Sequence, residues 1–321
     1  MTCVRCQHQT CKRFGYFSKR RVQRWRCTSC SATFADPTAT AYVRPEHSTD
    51  PERFAQAITL MLEGMSIRAI SRVTGLHKQT ILSLMNTASE KARKVLDAKV
   101  QNIDPRYVQM DELWGYVHTK ENNLGADDPR EWGNAYLWLA MDSETKLIIS
   151  HTIGARSGIN AFRIAGDLRA RTVGRFQITT DSLKAYVMAI QEWFGREVDY
   201  GQLHKIYGKV SDNRSGDWYG SGRVIGAVPH VKIGKPDFTR ISTSHIERAN
   251  LTVRMHLRRL TRLTNAFSKS LDNHKAAITL YIAFYNFCRG HQTLKGGSPA
   301  MAAGLADHVW SIAELLAVSG V

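Results

Sequence analysis

The stretch "YVQMDELWGYV", residues 107–117, decides the fold class. Its apolar residues Val108, Met110 and Trp114 predict a β-strand, yet Asp111 and Glu112 lie in the middle of it. A buried charge without a partner costs several kcal/mol. A compensating group is therefore expected, and it is an arginine, a sheet edge open to water, or a metal ion.

The segments that follow this strand alternate between strand and helix patterns. Residues 134–154 predict two strands joined by a tight turn, 158–173 an amphipathic helix, 175–186 a short strand that leads into a helix, and 199–207 one more strand. Three strands, a helix, a strand and a helix are the outline of an RNase H-like fold, an α/β fold in which helices cover both faces of a mixed sheet. The sequence therefore predicts such a domain over residues 105–321.

The C-terminal third of the chain predicts a loop and two helices. Residues 211–240 are polar and glycine-rich, which is typical of a loop. Residues 242–267 begin a long helix whose apolar stripe is formed by Ile246, Val253, Leu257 and Leu260. A neighbouring stripe of that helix is formed by Glu247, Asn250, Arg254 and Arg258. Residues 274–289 predict a core helix.

The overall charge is strongly positive. The 321 residues include 44 basic and 28 acidic side chains, which gives a net charge of +16. Such a surface attracts polyanions, and nucleic acid is the expected partner. A run of apolar residues long enough for a membrane span is absent, as is the apolar stretch of a signal peptide, so we expect a cytoplasmic protein without a membrane partner.

Four cysteines near the N-terminus have the spacing of a zinc site. Cys3 and Cys6 form one C-x-x-C pair, and Cys27 and Cys30 form a second. Two such pairs complete a tetrahedral zinc shell, which predicts a zinc ribbon with one structural Zn²⁺ over residues 1–40. The alternative, two disulfides, is disfavoured in a reducing compartment. Cys11 and His8 are read as bystanders.

A basic, aromatic run lies between the cysteine pairs. Residues 12–26 contain seven basic residues and no acidic ones. A charge run is usually a solvated face, but on a zinc-anchored hairpin it favours a phosphate-contacting surface. Arg20, Arg21 and Arg24 are its candidate DNA contacts.

Residues 50–100 predict a helix-turn-helix. A short helix capped by Ser66 runs to about Val73, a turn follows at Gly75, and a second helix begins near His77. The core spacing includes Ala69, Ile70, Val73, Leu76 and Ile81. In a major groove the second helix would present Lys78, Gln79 and Thr80 to base edges. The alternative is a helical hairpin that only packs.

Three carboxylates occupy positions that suit metal-dependent phosphoryl transfer. Asp111 lies within a strand, Asp181 ends a strand that opens a helix, and Glu247 lies on a helix of mostly basic and apolar residues. Two Mg²⁺ (or Mn²⁺) ions can clamp the attacking and leaving oxygens of an in-line displacement, and their ligands must converge from several elements. Strand alternation points Glu112 away from Asp111, so we expect Glu112 to be a surface or salt-bridged carboxylate. Asp142 opens a turn and is read as structural.

Three segments together resemble the bacterial insertion-sequence transposases of the DDE recombinase superfamily. They are "MDELWGYV" (110–117), "TTDSLKAY" (179–186) and "SHIERANLTVRMHLRRLTRLTNAFSKS" (244–270). The resemblance implies that Asp111, Asp181 and Glu247 are the catalytic metal ligands and that Arg254 is the family's helix-face arginine. It also implies binding of terminal inverted repeats and target DNA, two metal ions per active site, and a homodimer or larger assembly on nucleoid DNA.

Two other function classes remain open from the residues. One is a DNA-binding regulator that kept the fold but lost catalysis. The other is a metal-dependent nuclease that cleaves without joining strands. A metal-dependent cleavage assay separates the first from a transposase, and a strand-transfer assay separates the second.

Overall fold

The computed structural model describes residues 2–3, 5–17, 22–35, 49–208, 224–262 and 265–317. The chain divides into two compact units, Met1–Pro51 and Glu52–Val321. The predicted DNA contacts Arg20 and Arg21 lie outside the described residues. Among the described residues, no helix is both long and apolar enough to cross a bilayer.

The first unit contains a three-stranded antiparallel sheet. Its strands are β1 (Cys11–Phe17), β2 (Val22–Cys27) and β3 (Thr33–Ala35), in the order β1-β2-β3. The buried apolar residues of this unit, among those that the structure describes, are only Cys3, Cys27 and Phe34. So small a core cannot supply the stability of a folded domain without a staple.

Three helices open the second unit. They are α1 (Pro51–Leu62), α2 (Ile67–Thr74) and α3 (Lys78–Lys99). The side chain of Ser66 caps α2 by accepting a hydrogen bond from the Ala69 amide at 3.2 Å, as the sequence predicts. Gly75 ends α2 with a left-handed φ of 70°, which glycine adopts without strain. Helix α3 continues through the charged residues after position 87 and ends at Lys99.

One expected core position in the helix-turn-helix is wrong. Val73 is 57 % exposed, whereas Thr74 is buried. The reason is the register of α2: Ile70 and Thr74 are four residues apart and share the inner face, and this places Val73 toward solvent.

The second unit is built on a six-stranded mixed sheet. Its strands are β4 (Tyr107–Leu113), β7 (Tyr136–Asp142), β8 (Ile148–Gly154), β9 (Gln177–Thr180), β10 (Asp199–Tyr207) and β11 (Val224–Ile233). A small two-stranded sheet, β5 (Tyr116–Val117) and β6 (Gly133–Asn134), lies between β4 and β7 in the chain. The order in the large sheet is β11-β10-β9-β4-β7-β8.

The strand directions define the fold. β4, β7 and β8 form an antiparallel meander, and β9 and β10 are added parallel to β4 on its other side. The helices α4 (Gly158–Arg171) and α5 (Lys184–Phe194) supply the crossovers. This is the mixed α/β topology of an RNase H-like domain, and it confirms the predicted fold class.

The remaining helices follow the sheet in the chain. They are α6 (Ser244–His256), α7 (Leu271–Ala283), α8 (Pro299–Ala302) and α9 (Ile312–Ala317), with a π-helical turn at Phe284–Cys288. As predicted, α7 is a core helix: Ile278, Tyr281 and Ile282 are fully buried. Helix α3 packs along α7, so the first three helices share one hydrophobic core with the sheet. The division of this unit into two domains near residue 100 stays a prediction.

Two predicted elements differ from the structure. The predicted loop at 211–240 contains β11, which forms an antiparallel hairpin with β10. The β-branched residues Val224, Ile225, Val228 and Val231 favour this strand, although glycines precede it. The predicted long helix ends at His256 and is followed by a 3₁₀ turn, Arg258–Leu260. This turn brings Leu260 against Gly115, where a Cβ atom would lie 2.7 Å from the leucine side chain.

Arg171 fastens the end of α3 to the sheet domain. Its guanidinium donates to the carbonyls of Leu96 and Val100 at 3.1 and 3.2 Å and pairs with Asp97 and Asp167 at 2.7 and 3.0 Å. The last carbonyls of a helix lack partners within the helix, and this side chain supplies one for Val100, whereas the Leu96 carbonyl also accepts from the Val100 amide at 3.0 Å.

We expect Arg171→Met to lower the free energy of unfolding by about 2–4 kcal/mol, because it removes the arginine donor of the buried Val100 carbonyl and the cation that pairs with Asp97 and Asp167. Urea denaturation measures this loss. The matched control is Arg169→Met, a substitution on the same helix as Arg171. It removes an exposed salt bridge between Arg169 and Glu197 and should change the free energy of unfolding by less than about 0.5 kcal/mol. Equal effects of the two substitutions would show that Arg171 does not hold α3 in place.

Candidate active site

A pocket of about 320 Å³ lies among the central strands and α6. Four carboxylates and four cationic side chains line it. They are Asp111, Glu112, Asp181 and Glu247, and Arg156, Lys205, Arg254 and Arg262. The structure therefore places the three predicted catalytic carboxylates in one pocket.

Asp111 lies on β4, the first strand of the meander and one of the two central strands of the six-stranded sheet. One of its carboxylate oxygens accepts a hydrogen bond from the side-chain amide of Asn250 on α6 at 2.7 Å. Burial raises the pKa of Asp111 to about 7, and the negative charges of Glu112 and Asp181 contribute to this rise. The ionised form of Asp111 is therefore destabilised in the pocket, and a nearby cation would stabilise it.

Asp181 follows directly after β9, the strand parallel to β4. Its carboxylate accepts from the amide of Leu183 at 3.0 Å, which fixes its direction at the start of the turn into α5. Carboxylate oxygens of Asp111, Glu112 and Asp181 all lie within 4.8 Å of one another. Three carboxylates at such a distance repel each other unless protons or cations intervene.

Glu112 belongs to this acidic cluster, although strand alternation predicted that its side chain points away from Asp111. The predicted alternation holds, because Asp111 contacts α6 while Glu112 contacts Tyr186 of α5 at 3.1 Å. Glu112 is salt-bridged, as expected, to Arg156 at 2.5 Å, but only 3 % of its side chain is exposed, so it is not a surface residue. Its long side chain ends near Asp111 and Asp181, and burial raises its pKa.

Glu247 enters the pocket from the first turn of α6. Its carboxylate pairs with Lys205 of β10 at 2.5 Å and accepts from the hydroxyl of Thr243. Among the described residues it is not one of the three carboxylates that cluster within 4.8 Å. Glu247 therefore lies in the pocket but forms a salt bridge with Lys205 instead of joining the acidic cluster.

The predicted helix-face arginines differ in position. Arg254 lines the pocket, and its guanidinium donates to the Leu260 carbonyl at 2.5 Å. Burial lowers the pKa of Arg254. Arg258 is exposed on the 3₁₀ turn and does not line the pocket.

The other predicted DNA contacts are placed by their own units. At the start of α3, Lys78 and Gln79 are exposed and Thr80 is half-buried. In the first unit, Arg24 donates to the hydroxyl of Thr33 at 2.8 Å, and its guanidinium lies 5.4 Å from the centre of the Phe14 ring.

The four predicted zinc ligands converge in the first unit. The sulfur atoms of Cys3, Cys6, Cys27 and Cys30 lie within 4.8 Å of one another, and two of the pairs are 3.6 Å apart. Tetrahedral zinc–thiolate bonds of about 2.3 Å require sulfur separations of about 3.8 Å. A hydrogen bond from the Cys30 amide is the main cause that lowers the pKa of Cys27, to about 6, which favours the thiolate. Neither Cys11 nor His8 is part of this cluster.

The sequence did not single out Arg156 and Lys205, the two cations that pair with the pocket carboxylates. Arg156 follows β8 and precedes α4, and Lys205 lies in β10. Neither belongs to a motif in the sequence. The only signal was the position of Lys205 on a predicted strand beside the one that ends at Asp181.

The comparison with protein families matches residues 213–288 to the model of the IS1 transposase. Among curated proteins, the chain is 25 % identical over 179 residues to the insertion element iso-IS1n protein InsB of Shigella dysenteriae, which covers 56 % of this chain and 95 % of that protein. It is 26 % identical over 175 residues to the IS1 protein InsB of Shigella sonnei, covering 54 % and 92 %.

Two solved structures are more distant. A piggyBac transposase synaptic complex with hairpin DNA has a TM-score of 0.41 at 9 % identity and covers 84 % of this chain and 70 % of that one. The Mos1 strand transfer complex has a TM-score of 0.20 at 15 % identity and covers 47 % and 59 %. The fold assignment rests on the strand order described above. The family match over residues 213–288 and the similarity to InsB proteins over about half of the chain support a bacterial insertion-sequence transposase.

Proposed function

We propose that this transposase is a DDE enzyme that hydrolyses a phosphodiester at the end of its element and joins the freed 3′-OH to target DNA. Asp111, Asp181 and Glu247 are its catalytic carboxylates. The observation that supports this proposal is their convergence in one pocket from a central strand, a strand end and a helix. In both steps an oxygen nucleophile forms a bond to phosphorus while the opposite P–O bond breaks.

The pocket fits divalent metal ions. Oxygen ligands are those that Mg²⁺ and Mn²⁺ prefer, and the raised pKa of Asp111 indicates that its charge lacks compensation from the protein. Two such ions, when bound, would polarise the phosphate and ease deprotonation of the attacking water. Asp111 and Asp181 would hold them together with Glu247, and Asn250 would orient Asp111.

Cationic side chains in the pocket would position the DNA backbone. Arg254 and Arg262 line the same pocket as the carboxylates. Guanidinium groups match the geometry of phosphate oxygens. We assign Arg254 to a phosphate near the scissile bond and the exposed Arg258 to a more distant one.

Recognition of the terminal inverted repeats belongs to the N-terminal elements. Lys78, Gln79 and Thr80 stand at the N-terminal end of α3, where recognition helices contact bases. The zinc ribbon, with Zn²⁺ on its four cysteines, would offer Arg20, Arg21 and Arg24 to phosphates. The sulfur separations described above fit this ion.

Two ends must be cut and joined, which requires two active sites. We therefore propose that the chain works as a homodimer or larger assembly on transposon and target DNA. The place of action is the nucleoid in the bacterial cytoplasm.

The test of this function compares two glutamates of the pocket. Glu247→Gln should abolish cleavage and strand transfer of labelled transposon-end DNA, because it removes a metal ligand. Glu112→Gln should retain both activities within about tenfold, because Glu112 is not one of the three proposed metal ligands and a glutamine oxygen can still accept from Arg156 and Tyr186. The readout is single-turnover product formation in Mn²⁺ and in Mg²⁺.

The same assay separates the remaining function classes. Wild-type protein that binds the ends but never cleaves would be a regulator, and cleavage without joined products would indicate a nuclease. Full activity of Glu247→Gln together with inactive Glu112→Gln would transfer the third ligand from α6 to β4.

A further inference from the structure

Two cationic side chains form salt bridges with carboxylates of the pocket. The guanidinium of Arg156 lies 2.5 Å from Glu112 and 3.7 Å from Asp181, and the ammonium of Lys205 lies 2.5 Å from Glu247. Three of the four acidic groups are thus paired with a basic side chain. Both cations come from elements other than those that carry their partners.

The exposure of these groups differs between acid and base. The side chain of Glu112 is 3 % exposed, whereas that of Arg156 is 45 % exposed. Arg156 therefore covers the acidic cluster from the solvent side and can leave it without disturbing the core. Lys205 is 21 % exposed and has a flexible stem, so its ammonium can also move while β10 stays in place.

Divalent metal would change the charge balance of the pocket. Four carboxylates and four cationic side chains sum to a formal charge of zero. Two divalent ions would add four positive charges, so that Arg156 and Lys205 would then lie beside cations in a pocket of net positive charge. Repulsion would move the two side chains away from the carboxylates. The phosphodiester groups of bound DNA are the anions that they would then meet.

We propose that Arg156 and Lys205 hold the places of the metal ions in the metal-free protein and turn to DNA phosphates once metal binds. This inference rests on the proposed metal-dependent function of the pocket. Both residues are positioning groups that couple the two ligands. Because such coupling is reciprocal, metal strengthens DNA binding and DNA strengthens metal binding.

The first arm of the test measures metal binding without DNA. Arg156→Met and Lys205→Met should each bind Mn²⁺ about three- to tenfold more tightly than wild type, because a competing cation is gone. Calorimetric titration with Mn²⁺ gives these constants. The matched control, Arg169→Met, removes an exposed arginine–glutamate pair outside the pocket and should leave the Mn²⁺ constant unchanged. Unchanged or weaker Mn²⁺ binding by both pocket variants would overturn the exchange.

The second arm measures binding of inverted-repeat duplex at several salt concentrations. In Ca²⁺, each methionine variant should lower the slope of log affinity against log salt by about one, because one phosphate contact is lost. In chelator the variants should match wild type, since both cations then remain on carboxylates. A slope equal to that of wild type in Ca²⁺, or an equal loss in chelator, contradicts the proposal.

Two further comparisons keep the result interpretable. Arg156→Lys keeps the charge and should stay near wild type in both arms, and Lys205→Met tests the exchange by itself if Arg156→Met does not fold. If Mn²⁺ binding is the same in wild type and in Asp111→Asn, Asp111 is not a metal ligand, and both the proposed function and this inference are refuted. Wild-type protein that binds Mn²⁺ and cleaves, while the methionine variants bind Mn²⁺ no more tightly, refutes the exchange alone.

Discussion

Asp111→Asn is expected to reduce cleavage of transposon-end DNA by at least about a thousandfold, because it removes a ligand of ions that contribute several kcal/mol to the transition state. Binding of the end DNA should persist, since the bases are read by the N-terminal elements. Single-turnover cleavage and a gel-shift titration measure the two effects. Near-wild-type cleavage by Asp111→Asn would remove this residue from the active site.

Although Asp111→Asn should abolish cleavage, we expect it to raise the stability of the metal-free protein. This increase distinguishes a catalytic loss from misfolding. The pKa of Asp111 is raised to about 7 from its ordinary value of 3.8. The unfolded chain therefore loses this proton first, so the wild type loses stability as the pH rises from about 4 to about 7. At pH 8 without metal, Asp111→Asn should be more stable than the wild type, by up to about 4 kcal/mol.

Thermal melting at two pH values checks this sign. The advantage of Asp111→Asn should be large at pH 8 and small at pH 4, where the wild-type carboxyl is protonated in the folded state. Added Mn²⁺ should stabilise the wild type and not the variant. A variant that melts below the wild type at both pH values would indicate that the new amide at position 111 breaks the contact with Asn250 and that the lost cleavage has a structural cause.

The ends of the strands were predictable from the sequence because local patterns determine them. Asp111 lies within a strand and Asp181 follows the end of another, and the parallel pairing of Met110 with Thr180 brings the two aspartates close together. The end of α6 was not predictable, because neither glycine nor proline marks it. Its termination depends on how Leu260 packs at Gly115, which is a tertiary contact.

The composition of the acidic pocket required the structure. Alternation along β4 gives the direction in which Glu112 leaves the strand, but not where its carboxylate ends. That position is set by Arg156 and Tyr186, which are 44 and 74 residues away in the chain. The pairing of Lys205 with Glu247 likewise joins residues 42 positions apart. Single-sequence patterns carry no information about such pairs.

Cys27→Ser is expected to release the structural zinc and unfold the first unit. Cys27 is buried, and its sulfur accepts hydrogen bonds from the amides of Ser29 and Cys30 at 3.4 and 3.5 Å. The apolar core that the structure describes in this unit is too small to hold the strands alone. Binding free energy of about 10–16 kcal/mol for a structural zinc is then folding free energy, and the loss of one of four thiolates removes most of it.

Cysteine substitutions that differ only in position make this argument testable. Purified wild type should contain one zinc per chain by metal analysis, Cys27→Ser none, and the control Cys11→Ser one, because the Cys11 sulfur lies outside the cluster. Limited proteolysis should cut Cys27→Ser within residues 2–35 and leave the second unit intact, since that unit has its own core. Wild-type protein without zinc, or zinc that is lost from Cys11→Ser and kept by Cys27→Ser, would show that the four cysteines are not the ligands.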